Sequence, residues 1–195
     1  NLCYAGGVAL NCVANARALA EGPFRQLRVP PCPNDSGLAL GAAFYASHEV
    51  AGVPWVPGGF SPYAGPEPFA NDIVSTGARL ADAGCRVEEA LPERVAGVIA
   101  RGAVVAVFRG RSECGPRALG HRSLFARADK PRMRDHLNSL VKLREWYRPY
   151  APIILAECAG EVFEDAGAPW SSCMTVAATV RAGWREMLAA VTHVD

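Results

Sequence analysis

Residues 103–123 read AVVAVFRGRSECGPRALGHRS. The first six are a continuous apolar run of strand length, which predicts a strand buried on both faces. Gly102 before it closes a helical stretch, Leu91 to Arg101, that begins at Pro92 and carries Val95, Val98 and Ile99 on one face. After the strand come Arg109, Arg111, Arg117, His121 and Arg122, interleaved with Gly110, Gly115, Pro116 and Gly120. Cations set in a stiff turn at a strand end point to an anion rather than to a solvated surface loop.

Outward from this stretch, helices and strands alternate, so the fold class expected is α/β. Leu2 to Tyr4 reads as the end of a strand, Gly6-Gly7 as a turn, and Val8 to Ala20 as a helix stopped by Gly22-Pro23. Leu27 to Val29 is a short strand, and Pro30-Pro31-Cys32-Pro33 is a stiff loop ahead of a helix from Gly37 to about Val50. Five of the fifteen prolines fall within 53–68, so residues 51–66 read as a rigid linker. Beyond it, helices are expected at Asn71 to Ala83 and Lys130 to Val141. Strands are expected at Cys85 to Glu88, Ser123 to Ala126, Ile153 to Ala156 and Ser172 to Val180.

The totals exclude several classes. Of the 195 residues, 50% are hydrophobic and 20% charged, an ordinary composition, and no apolar run reaches membrane-spanning length. Seven cysteines without a CxxC pair argue against a zinc site or a disulfide framework and fit reduced thiols in a cytoplasmic protein. The sequence starts on Asn1 inside a strand-turn pattern and ends on an apolar run, so it reads as an internal piece of a longer chain. The net charge of +1 hides an asymmetry: residues 101–148 carry twelve Lys/Arg against four Asp/Glu, a local excess of +8. Such a block is a footprint for nucleic acid, nucleotide, phosphate or acidic protein.

Three segments carry candidate chemistry. In AGGVALN, residues 5–11, a Gly-Gly before a helix either makes a tight turn or exposes N–H groups to a phosphate. In PCPNDSGLALGAA, residues 31–43, Asp35 is either a helix cap or a carboxylate ligand of a metal sitting on nucleotide phosphates. In the basic block, arginine offers a planar fork that matches phosphate or carboxylate. Arg117 and Arg148 each adjoin a proline, which lowers the entropy cost of holding the guanidinium in place. Arg127, Lys130, Arg132 and Arg134 read as a solvated face, and His121 as a turn histidine rather than an acid/base group. Neither a Ser/His/Asp triad nor a P-loop is present.

Together, AGGVALNCVAN (5–15), VPPCPNDSGLALGAA (29–43), VFRGRSECGPRALGHRS (107–123) and LNSLVKLREWYRPYAPIILAE (137–157) resemble the O-carbamoyltransferases of nodulation-factor and antibiotic biosynthesis. The resemblance spans nearly the whole chain. It implies the C-terminal part of an actin-like (Kae1-like) ATPase domain over 1–50, the linker at 51–66, and an incomplete YrdC-like α/β domain over 67–195. It implies that carbamoyl phosphate and ATP give carbamoyl-adenylate, whose carbamoyl group passes to a hydroxyl of a small-molecule acceptor. By motif position, Arg117, Lys142 and Arg148 are the residues expected to bind carbamoyl phosphate. Arg111, Arg122 and Arg144 are further substrate-binding candidates. Gly6, Gly7 and Asn11 match the ATP-contacting segment, and Asp35 the aspartate ligand of a divalent metal, iron or alternatively magnesium. The paired histidines of that metal site and a GTAR-like segment belong to parts of the family pattern outside this sequence. Cys114 stands where an aromatic or aliphatic residue is commoner, and Ala16 where glycine is usual. No membrane partner is expected. The alternatives are an RNA-binding module, a threonylcarbamoyl-adenylate synthase acting in tRNA modification, and an inactive fragment. Few aromatics interleave the basic block before Trp146 and Tyr147, which weighs against nucleic acid.

Overall fold

The structure is a computed structural model that describes residues 1–56, 60–164 and 171–193. Residues 57–59 of the expected linker therefore lie outside the described residues. The chain divides into two compact units: Asn1–Pro62 with Cys114–Arg117 and Ala128–Asp195, and Tyr63–Glu113 with Ala118–Arg127.

The first unit opens with β1 (Leu2–Cys3), which pairs parallel with β2 (Leu27–Arg28), Leu2 opposite Leu27 and Cys3 opposite Arg28. Between them a 3-10 turn at Gly7–Leu10 leads into α1 (Cys12–Glu21). Asn11 caps α1: its side-chain oxygen accepts from the Ala14 N–H at 3.0 Å, satisfying one of the orphan donors of the first turn. Another 3-10 turn, Asp35–Gly37, precedes α2 (Leu38–Tyr45), which continues as a π-helical turn over Ala46–Val50. His48 then ties the next residues back. Its Nδ1 donates to the Val53 carbonyl at 2.7 Å, and its ring meets Trp55 edge-on at 4.7 Å.

Later in this unit come α5 (Pro131–His136), a π-helical turn over Leu137–Val141, and α6 (Ala159–Val162). Pro131 starts α5 where its missing N–H costs nothing. The buried apolar residues are drawn from separate stretches: Ala9, Leu27, Cys32, Leu137, Val162, Val176, Leu188 and Ala190. Segment 175–177 docks on α1, since the Ala177 N–H donates to the Cys12 carbonyl at 3.1 Å and Asn15 Nδ2 to the Thr175 carbonyl at 2.8 Å.

The second unit holds α3 (Ala70–Asp82), α4 (Pro92–Ala100), β3 (Val105–Phe108) and β4 (Arg122–Phe125). β3 and β4 pair antiparallel, from Val105 opposite Phe125 to Phe108 opposite Arg122. Helices with two small two-stranded sheets fit the α/β expectation.

Four expected strands differ. β3 is not buried on both faces: its exposure alternates and Phe108 is 67% exposed, as a two-stranded ribbon dictates. Cys85–Glu88 and Ile153–Ala156 form no ladder, and Ala156 instead opens a 3-10 turn, Ala156–Cys158. Ser172–Val180 instead begins in a 3-10 turn, Ser171–Cys173, and contributes only an isolated bridge from Val180 to Phe163 among the described residues. An apolar run marks a chain able to be a strand, and the last three of these runs lack, among the described residues, the neighbouring strand that would make them one. All seven cysteines are free. No described helix is long and apolar enough to cross a membrane.

Candidate functional site

Within the first unit, three segments far apart in sequence come together. Gly6 has φ 102°, a left-handed conformation that glycine adopts without strain, and its N–H donates to the Pro33 carbonyl at 2.7 Å. This joins the Gly-Gly turn to the proline loop two residues before Asp35. Gly115, at φ 114°, also packs against that loop: a Cβ there would lie 2.6 Å from the Pro31 carbonyl oxygen and 3.2 Å from Cys32 Cβ. Arg117 completes the junction, its Nη2 donating to the Leu10 carbonyl at 2.8 Å. The Arg117 Nε is buried without a hydrogen-bond partner.

Around the junction, Gly6 and Gly7 face open space where a side chain would stand, so backbone can be approached closely there. Asn11 is committed as the α1 cap. Asp35 is exposed at the start of its 3-10 turn. No group of three His, Cys, Asp or Glu side chains able to hold a metal occurs among the described residues. Asp35 therefore does not make a metal site with this chain's described side chains.

A second grouping lies in the same unit, on residues 137–150. Asn138 is fully buried. Its Nδ2 donates to the carbonyls of Trp146 at 3.0 Å and Arg148 at 2.9 Å, while its Oδ1 accepts from Arg144 Nε and Tyr150 Oη, both at 2.8 Å. Every hydrogen-bonding position of the carboxamide that the loop can reach is used, as burial requires. The Arg144 Nη2 also donates to the Pro149 carbonyl at 3.3 Å, and its Cζ lies 4.7 Å from the Tyr150 ring centroid. Leu143, at φ 47°, takes the turn.

Lys142 and Arg148 are left less encumbered. Among the described residues the Lys142 side chain has no hydrogen bond or ion pair, and the Arg148 side chain only a loose approach to Glu145, 3.9 Å. Crowding of its ammonium by the surrounding chain lowers the Lys142 pKa, and the positive charges of Arg144 and Arg148 lower it further.

In the second unit the opening cations are held differently. Arg122 donates from Nη1 to the Arg109 carbonyl at 2.7 Å and from Nη2 to the Gly110 carbonyl at 3.0 Å, with its Cζ 3.6 Å over the Phe108 ring. Arg111 Nη2 donates to the Ala64 carbonyl at 2.9 Å. His121 stacks on Tyr63, ring centroids 4.1 Å apart, and its Nδ1 donates to the Arg111 carbonyl at 2.6 Å. The hub is Glu113. Its carboxylate accepts the backbone N–H groups of Leu119 at 2.7 Å, His121 at 2.8 Å and Arg122 at 3.1 Å. Burial pushes the Glu113 pKa up, but hydrogen bonds from His121, Leu119, its own N–H and Arg122 outweigh this and hold it at about 2.

Sequence reasoning passed over Glu113 and Asn138. A signal existed for each. Glu113 is the one acid between Arg109 and Arg122, and Asn138 is the carboxamide that interrupts an otherwise apolar face through Leu137, Leu140 and Val141.

A carbamoyltransferase C-terminus model matches residues 96–195, and a carbamoyltransferase N-terminus model matches residues 1–44. The chain belongs to the carbamoyltransferase family. By sequence it is similar to nodulation protein U of Sinorhizobium fredii, 40% identical over 195 residues, covering 100% of this chain and 33% of that protein. Nodulation protein NolNO of the same organism is 38% identical over 205 residues, with 100% of this chain and 29% of that protein covered. Nodulation protein NolO of Bradyrhizobium diazoefficiens is 40% identical over 200 residues, with 100% and 36% covered. The chain spans about a third of the length of these curated relatives. Membership in the carbamoyltransferase family favours that reading over an RNA-binding or tRNA-modifying one.

Proposed function

We propose that this chain is the carbamoyl-activating part of an O-carbamoyltransferase. Carbamoyl phosphate and ATP, with one water, give carbamoyl-adenylate, inorganic phosphate and pyrophosphate. A hydroxyl of a small-molecule acceptor then attacks the carbamoyl carbon and AMP leaves. The observation that carries this reading is the junction of residues 5–11, 31–37 and 114–117, bound by the Gly6–Pro33 and Arg117–Leu10 hydrogen bonds.

In this reading ATP lies along Gly6, Gly7 and Asn11, where backbone is open to close approach. Arg117, Lys142 and Arg148 bind carbamoyl phosphate, a small dianion whose charge grows as phosphate departs. Preorganised cations stabilise that change without reorganising. Arg111 and Arg122 support the turn around Glu113 rather than reaching substrate, because their donors already serve backbone carbonyls. Asp35 is one carboxylate ligand of a divalent metal whose other ligands are not among the described residues. Residues 1–50 then belong to a Kae1-like, actin-like ATPase domain, 51–66 to its linker, and 67–195 to a YrdC-like domain, in a cytoplasmic protein.

The test is calorimetric titration of the 195-residue chain with carbamoyl phosphate, with ATP and with single-stranded RNA. Binding of the first two supports the reading. Absence of both, or tight RNA binding with steep salt dependence, overturns it.

A further inference from the structure

The cations of the 137–150 loop are unequal, and the inequality traces to one uncharged side chain. Arg144 spends Nε on Asn138 Oδ1 and Nη2 on the Pro149 carbonyl, and its guanidinium plane rests over Tyr150. A guanidinium held on three sides is not free to close on a ligand. Lys142 and Arg148 flank it along the chain with their charged ends largely unclaimed. The loop has little regular structure to hold it. Its backbone support is two bonds at the start, Lys142 N–H to the Leu137 carbonyl at 2.8 Å and Arg144 N–H to the Asn138 carbonyl at 2.9 Å, and one from Arg148 to Glu145 at 3.2 Å. Asn138 supplies the rest, reaching the carbonyls of Trp146 and Arg148 and the hydroxyl of Tyr150 from a fully buried position.

We infer that Asn138 is the positioning residue of this loop: its carboxamide holds Arg144 back as a fixed charge and presents Lys142 and Arg148 as the pair that closes on a phosphate-bearing anion. This rests on the reading that the loop binds such an anion. Asn138 does not touch the ligand. It acts through Arg144, Tyr150 and the two carbonyls. The charged groups around Lys142 are Arg144 and Arg148, the latter near Glu145. Releasing Arg144 into solvent removes a fixed positive charge that acts on Lys142 and loosens Arg148 at the same time.

The experiment follows Lys142 in the 195-residue chain by NMR of its carbon-13-labelled ε-methylene group across alkaline pH, beside calorimetry with inorganic phosphate and carbamoyl phosphate. In Asn138→Leu the Lys142 midpoint rises toward that of an ordinary lysine, and phosphate affinity falls roughly 10-fold or more. A residue that only stabilises the fold lowers the melting temperature and leaves the midpoint of the folded chain unmoved, so an unmoved midpoint overturns the inference. Should Asn138→Leu fail to fold, Arg144→Gln and Tyr150→Phe decide. The first removes the fixed charge and the second loosens the grip on Asn138 Oδ1. Both raise the Lys142 midpoint, and no change in either overturns the inference. If wild type binds neither phosphate nor carbamoyl phosphate, the proposed function fails, while the Lys142 midpoint still decides the role of Asn138.

Discussion

The Arg117 guanidinium donates to the Leu10 carbonyl at 2.8 Å across 107 positions of sequence. One cation thus joins the Gly-Pro-Arg turn to the residue before the α1 cap, and its Nε remains buried and unpaired. Arg117→Ala removes both a strut and a proposed substrate cation. In an O-carbamoyltransferase carrying this chain, we expect the variant to lose carbamoyl-adenylate formation and to keep transfer from carbamoyl-adenylate supplied ready-made. Pyrophosphate release and acceptor carbamoylation report the two steps separately. Normal adenylate formation in the variant contradicts the assignment.

Glu113 makes stability depend on acid pH. Its folded pKa of about 2 lies below the ordinary carboxylate value of 4.5, so the stabilisation is present above pH 4.5 and drains away as pH falls toward 2. Glu113→Gln keeps one oxygen to accept from the Leu119 and His121 N–H groups, loses the charge, and puts an NH2 in place of the second acceptor oxygen, which takes the Arg122 N–H. It is expected to be less stable than wild type at neutral pH, and to show a flatter melting profile between pH 4.5 and 2. Thermal melts of both chains across that window measure the difference, and parallel profiles refute it.

Gly115 combines φ 114° with a close approach to Pro31. Gly115→Ala adds both backbone strain and a clash with a carbonyl oxygen that is itself backbone, so relief requires the two segments to separate. The expected cost is about 2 kcal/mol or more, read by urea denaturation. Gly7→Ala, where nothing stands within 4 Å of the added carbon, serves as the control and is expected to cost well under half as much.

Asn15 is 1% exposed and donates to the carbonyls of Ala9 at 2.7 Å and Thr175 at 2.8 Å. Asn15→Leu removes the buried donor to both carbonyls, and the expected loss is about 2–3 kcal/mol. Faster amide exchange at Ala177, which bonds α1 beside it, reports release of the 175–177 segment. Unchanged exchange there contradicts the role.

Much of this was legible before any coordinates. Pro92, Gly102 and an apolar face place α4 within a residue of its expected span, because capping and helical periodicity are local. The motif segments around Gly6, Asp35 and Arg117 were singled out by residue type. What the sequence concealed is how they are held. Glu113 and Asn138 earn their importance from carbonyls and N–H groups up to ten residues away, and polar satisfaction of that kind depends on the folded path of the chain. The expected strand at Ser172–Val180 failed for the same reason. Its pattern was right for pairing, but its hydrogen bonds go to α1, Phe163 and neighbouring turns.

If the 137–150 loop, with Arg117, holds carbamoyl phosphate, calorimetric titration of carbamoyl phosphate into wild type, Lys142→Ala and Arg132→Ala will separate the three chains. Lys142 lies in the loop; Arg132 is an exposed cation on α5 with no part in it. Lys142→Ala is expected to lose affinity roughly 30-fold, about 2 kcal/mol, and Arg132→Ala to lose none. Equal affinity in all three chains, or equal losses in both variants, would contradict it.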